Sequence, residues 1–150
     1  MNMFRMIAPV VLATMTVAIP QAALGQESEW PFKQAEYVEV TGISIDDGHY
    51  LDYANFLAGV WRKSSDFAKA QGWIKSYEIY FNEHRRKGEP DMYLLTRFEK
   101  FASPEEQEAR DKAYRAHMAM TDAEMEKASE GRADFRHVDG SMLLRRVIWK

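Results

Sequence analysis

The sequence predicts an α+β fold in the order β-α-β-β-α-β, and three observations carry that prediction. Segments rich in β-branched and aromatic residues alternate with two long helical patterns. Two of the strand-like segments follow each other across a polar turn, which marks an antiparallel hairpin. The most apolar stretch of the chain lies at its beginning and has the pattern of an export signal, so it takes no part in the fold.

That signal is expected over residues 1–25. Arg5 gives a basic head, residues 6–19 form an apolar run, and Ala23 and Gly25 supply small residues at alternate positions before a cut. The run is about 14 residues, short of the roughly 20 that span a bilayer. Pro20 ends it, and Gln26-Glu27-Ser28-Glu29 follows. The expectation is a cleaved, exported chain, periplasmic or secreted and soluble, with no membrane anchor after cleavage. With no cysteine there is no lipoprotein attachment and no disulfide, and a single arginine in the head argues against a twin-arginine route.

Residues 26–36 read as a flexible leader and residues 37–150 as one domain. The full sequence has 20 basic and 23 acidic residues. Without Arg5, 19 basic against 23 acidic residues leave about −4, a poor match for nucleic acid or anionic membrane. The 13% aromatic content supplies large buried area per residue.

Residues 37–45 form the first strand, with Tyr37, Val38, Val40, Thr41, Ile43 and Ile45 as its strand formers. Asp46-Asp47-Gly48 ends it and is expected to cap the first helix. That helix spans residues 49–70, its apolar face carried by Tyr50, Tyr53, Ala54, Leu57, Trp61, Phe67 and Ala68 at steps of three and four. Gly72 suits its left-handed close. Residues 73–82 alternate as a half-buried strand, with Tyr77, Ile79 and Phe81 on one side and Ile74, Glu78 and Tyr80 on the other. A polar turn, residues 83–90, leads into a third strand around Met92 to Phe98. Ser103-Pro104-Glu105-Glu106 is a capping box for a second helix, expected to run to about Ser129 and to close near Gly131. Residues 132–140 read as a connector, and residues 141–149 as the last strand.

Two β-α-β units joined by a hairpin give a ferredoxin-like arrangement, a four-stranded antiparallel sheet with both helices on one face. The uncovered face should then be polar. Instead Met142, Leu144 and Ile148 fall on one side of the last strand and Leu143, Val147 and Trp149 on the other. Apolar residues on both sides imply a second burial surface, and the expectation is a homodimer, sheet against sheet.

This layout resembles the dimeric α/β-barrel proteins, including antibiotic-biosynthesis-monooxygenase-like and stress-responsive barrel domains. It is also similar to small uncharacterised exported bacterial proteins with a comparable run around Trp61-Arg62 and Gln71-Gly72-Trp73-Ile74. The resemblance covers residues 37–149 and rests on element order and aromatic placement. It implies a dimeric barrel. Because such barrels serve cofactor-free oxygenases, haem enzymes and simple binders, it does not select an activity, and whether the chain is an enzyme stays open.

The candidate ligand-binding residues are His117, Tyr53, Trp61, Tyr77, Tyr93, Arg97 and Trp149. The aromatic ones can line an apolar pocket between helices and sheet. Arg97 can meet an acidic ligand, or pair with Glu39 or Glu78 on a neighbouring strand. His117 stands near the inward stripe of the second helix. Histidine spacing gives no zinc motif, so no metal and no cofactor is expected; the resemblance leaves haem through His117 as an option. The leading functional expectation is an exported protein that binds a small apolar or aromatic molecule. The alternatives are a monooxygenase-like or haem-binding enzyme of the same shape, and an envelope module that binds another protein.

Overall fold

A computed structural model of the chain describes residues 29–150. The expected signal, and the start of the expected leader, lie outside the described residues. The elements are β1 (Phe32–Ile45), α1 (Tyr50–Phe56), a π-helical turn (Leu57–Trp61), α2 (Arg62–Ala70), β2 (Ser76–Phe81), β3 (Met92–Phe98), α3 (Pro104–Met118), α4 (Asp122–Ala133) and β4 (Arg136–Trp149). The four strands form one sheet in the order β2-β3-β1-β4, every neighbouring pair antiparallel. The chain is therefore α+β, with the hairpin where the polar turn predicts it. No helix among the described residues is long and apolar enough to cross a membrane.

β1 begins at Phe32, not at Tyr37, so residues 32–36 are strand rather than flexible leader. The reason is the partner strand. β4 runs on to Trp149, and Phe32, Lys33 and Gln34 pair with Trp149, Ile148 and Val147. The Phe32 and Trp149 rings meet with centroids 4.4 Å apart, and the Lys150 N–H donates to the Pro31 carbonyl at 3.0 Å. A register shift between Gln34 and Tyr37 absorbs one irregularity in this pairing.

The first helix occupies its expected span but is not regular. Its N-cap is His49, with no side-chain cap. Asp46, expected to cap, instead accepts a hydrogen bond from His137 Nε2 at 3.0 Å, tying the end of β1 to β4. Midway, the Arg62 N–H reaches back to the Leu57 carbonyl, closing a π turn. Such single-turn insertions are rare and gather at functional sites. Gly72 closes the helix at φ +72°, as expected.

The second helical pattern is two helices. α3 carries the expected Ser103–Glu106 capping box and ends at Ala119, which adopts a left-handed φ of 54°. A second capping box, Thr121 with Glu124, then starts α4. Gly131 does not close α4, which continues to Ala133. The expected connector over residues 132–140 is mostly ordered, as the end of α4 and the start of β4.

The core sits between the first helix and one face of the sheet, where Tyr53 and Leu57 pack on Ile43, Ile45 and Met92. Phe56, Trp61, Leu94 and Phe135 close round it. Asp91 is a buried polar anchor at its edge. Its Oδ2 accepts from the Ile45 N–H at 2.8 Å, Arg85 pairs with its other oxygen, and its own N–H donates to Ile43. The opposite face carries Val38 and Val40 in the central strand, with Leu95 on β3 and Met142 and Leu144 on β4 as their cross-strand partners. β4 is uncovered on both sides: adjacent residues Leu143 and Leu144, which point to opposite faces, are 53% and 48% exposed.

Candidate functional site

The cavity that combines apolar walls with converging polar groups lies on the helix side of the sheet, beside the π-helical turn. Its volume is about 210 Å³. Tyr53, Phe56 and Trp61 come from the first helix, Thr41 and Glu39 from β1, and Leu94 and Thr96 from β3. Ser129 and Arg132 come from α4, and Arg136 and Val138 from β4. The topology explains the gathering. β1 and β3 are neighbours in register, Thr41 opposite Leu94 and Glu39 opposite Thr96, so alternate residues of both strands line one floor. Trp61 at the end of the π turn faces that floor, and α4 returns the chain over its far end.

Two arginines set the electrostatics. Arg132 Nη1 donates to the Ala128 carbonyl at 2.7 Å, and its guanidinium carbon stands 4.1 Å over the Phe56 ring. Burial, and then the charge of nearby Arg136, hold the Arg132 pKa below the usual arginine value. Arg136 Nε is buried without a hydrogen-bond partner. An orphan donor of that kind costs about 1–3 kcal/mol, more when it belongs to a charged group, and so asks for a reason. Burial pushes the Tyr53 phenol up, so it stays protonated and neutral near pH 7.

The other depressions have different characters. A groove of about 430 Å³ runs from Leu57 and Trp61 to Tyr77, Ile79 and Phe81 at the β2 edge and is mainly apolar. Another, about 590 Å³, is an open surface groove around His117, lined by Ala58, Phe67 and Ala70 as well as by Arg62, Lys63 and Asp66. His117 is exposed, with its ring stacked on Phe67 at 4.1 Å and 8°. No cluster of three or more histidine, cysteine or acidic side chains poised to hold a metal occurs among the described residues.

The structure brings together three of the residues expected to bind ligand. Tyr53 and Trp61 share the cavity wall, and Tyr77 meets Trp61 edge to face with centroids 5.1 Å apart. The Tyr77 hydroxyl donates to Asp66, which raises the Tyr77 pKa. The other four stand apart from that group. Tyr93 and Arg97 fall on the face away from the helices, where Arg97 binds Glu78 through Nε at 3.1 Å and Nη2 at 3.4 Å. Trp149 ends β4 against Phe32, and His117 sits in its own groove. Arg132 and Arg136 were hidden in what reads as a connector. One signal does mark Arg132: Ala128, Ser129, Phe135 and Arg136 occupy the positions three and four residues away, so no acid can pair with it along the helix.

No family model matches the chain, and no curated protein matches it. Among solved structures, the chain is similar to the crystal structure of HapK from Hahella chejuensis, at 9% identity and a TM-score of 0.41, over 73% of this chain and 91% of that one.

Proposed function

We propose that the protein is an exported binder of a small apolar or aromatic molecule, held in the cavity beside the π-helical turn. The observation that carries this reading is the cavity itself, in which aromatic walls from Phe56 and Trp61 meet converging hydroxyls, two guanidiniums and the Glu39 carboxylate. The element order and the β2-β3-β1-β4 strand order fit a ferredoxin-like arrangement. In this reading the face away from the helices packs against the same face of a second copy, as in dimeric α/β barrels. Val38, Val40, Leu95, Met142 and Leu144 support that pairing, because they put an apolar stripe where an unpaired sheet face would carry polar residues. Export follows from the basic, apolar and small-residue order of residues 1–25.

Native mass spectrometry of protein purified from its own cells tests both parts. The expected species has twice the mass of one chain and retains a small molecule. A monomer mass at micromolar concentration overturns the pairing. A protein that carries no small molecule, and takes up none from an aromatic library, overturns the binding reading.

A further inference from the structure

We propose that the ligand of this cavity is a one-ring aromatic or apolar carboxylate, its anion received by Arg132 and Arg136 and its apolar body packed against Phe56 and Trp61. The inference rests on the reading of the cavity as the ligand site and adds the chemical class.

Four guanidiniums among the described residues form no ion pair: Arg110 and Arg145, which stand over the Trp73 and Tyr37 rings, and the two of the cavity. Arg62, Arg85, Arg86, Arg97, Arg115 and Arg146 each pair with an acidic side chain. Arg132 and Arg136 line the cavity and pair with none. One is positioned by the Ala128 carbonyl and the Phe56 ring, the other keeps a buried Nε–H without an acceptor. A planar carboxylate supplies acceptors for such a pair, and guanidinium forks bind it in two-point fashion.

Charge and size narrow the class further. Glu39 is the one acidic side chain on the cavity wall, and it forms no ion pair with either arginine. Two cations and one carboxylate leave a single surplus positive charge, which suits a monoanion better than a phosphate dianion. Arg132 also stands in the last turn of α4, where the helix dipole disfavours accumulated negative charge. The cavity volume of about 210 Å³ is below the roughly 300 Å³ at which drug-sized pockets begin. Phe56, Trp61 and Leu94 give it apolar wall, and Thr41, Thr96 and Ser129 add hydroxyls to a lining that is about half polar. That is room for one ring and its carboxylate.

The test is calorimetric titration of the purified protein with benzoate, phenylacetate and cyclohexanecarboxylate, each beside its neutral amide, while the fluorescence of Trp61 is followed through a variant that retains Trp61 as its sole tryptophan. The expected result is that at least one carboxylate binds roughly tenfold or more tightly than its amide. R132Q and R136Q should each erase that preference, so that the carboxylate binds no more tightly than its amide. Circular dichroism confirms that the variants fold; where one does not, the carboxylate-to-amide ratio of the parent protein decides alone. Equal binding of acid and amide, with the Trp61 signal moving for both, overturns the carboxylate assignment and leaves the cavity as the ligand site. Binding of neither overturns the cavity reading, and the assignment with it.

Discussion

Gly42 on β1 lies beneath Pro90 in the β2–β3 loop, so closely that a Cβ at position 42 would stand 2.6 Å from Pro90 Cγ and 3.3 Å from Pro90 Cβ. A proline ring has no rotamer with which to retreat. Gly42→Ala therefore forces the loop outward or bends β1 at its register shift. The expected cost is about 1–3 kcal/mol, as for overpacking elsewhere, read as a lower urea midpoint with an unchanged slope. An unchanged midpoint would show that the loop does not press on the strand.

Asp91 next to that loop satisfies a buried backbone donor. Its carboxylate accepts from the Ile45 N–H and pairs with Arg85. Asp91→Ala removes both partners and leaves the Ile45 N–H unsatisfied at the edge of the core. The expected loss is roughly 2–4 kcal/mol, measured by chemical denaturation. Arg85→Ala should cost much less, because Arg85 is half exposed and its removal leaves the Ile45 bond in place.

Gly131 offers the reverse. It lies inside α4, and a Cβ there would meet nothing within 4 Å. Gly131→Ala should raise stability by about 0.8–1 kcal/mol, the helix-propensity difference between the two residues. A lower melting temperature for this variant would mean that α4 does not persist through residue 131.

Glu78 links stability to pH. Its hydrogen bonds with Arg97 first, then with Tyr80, hold its carboxyl below the ordinary glutamate value. A carboxyl whose pKa falls on folding stabilises the native state above its unfolded value, near 4.3. That contribution disappears as pH drops through the folded value. The melting temperature of the parent protein should exceed that of Glu78→Gln at pH 7, and the gap should shrink as pH falls below the unfolded glutamate value. A gap independent of pH would place the effect in packing rather than in the ion pair.

Much of the fold was legible in the sequence because its signals are local. The alternation of Tyr77, Ile79 and Phe81 predicts their common face, and Ser103 with Glu106 predicts the start of α3. The capping box of α4, Thr121 with Glu124, was equally visible. It is obscured by an apolar stripe that runs on through Met118, Thr121 and Met125 and reads as one helix. Other features have no local signature. The early start of β1 depends on Trp149, more than a hundred residues away. The π turn at Leu57–Trp61 keeps the same apolar spacing as an α-helix, so periodicity cannot reveal it. The cavity was half legible. Tyr53 and Trp61 stand out as aromatic residues on an inward face, whereas Arg132 and Arg136 lie in a charged stretch whose meaning comes only from where α4 and β4 place it.

Backbone-amide NMR during a titration with benzoate tests most directly whether a small molecule occupies the cavity under the π turn. Occupancy of the cavity should confine the shift changes to the Leu57–Trp61 turn, the Trp61 indole N–H, Thr41, Thr96 and the segment from Ser129 to Arg136. Shift changes gathered instead around His117 and Asp66, with the Leu57–Trp61 turn silent, would contradict it.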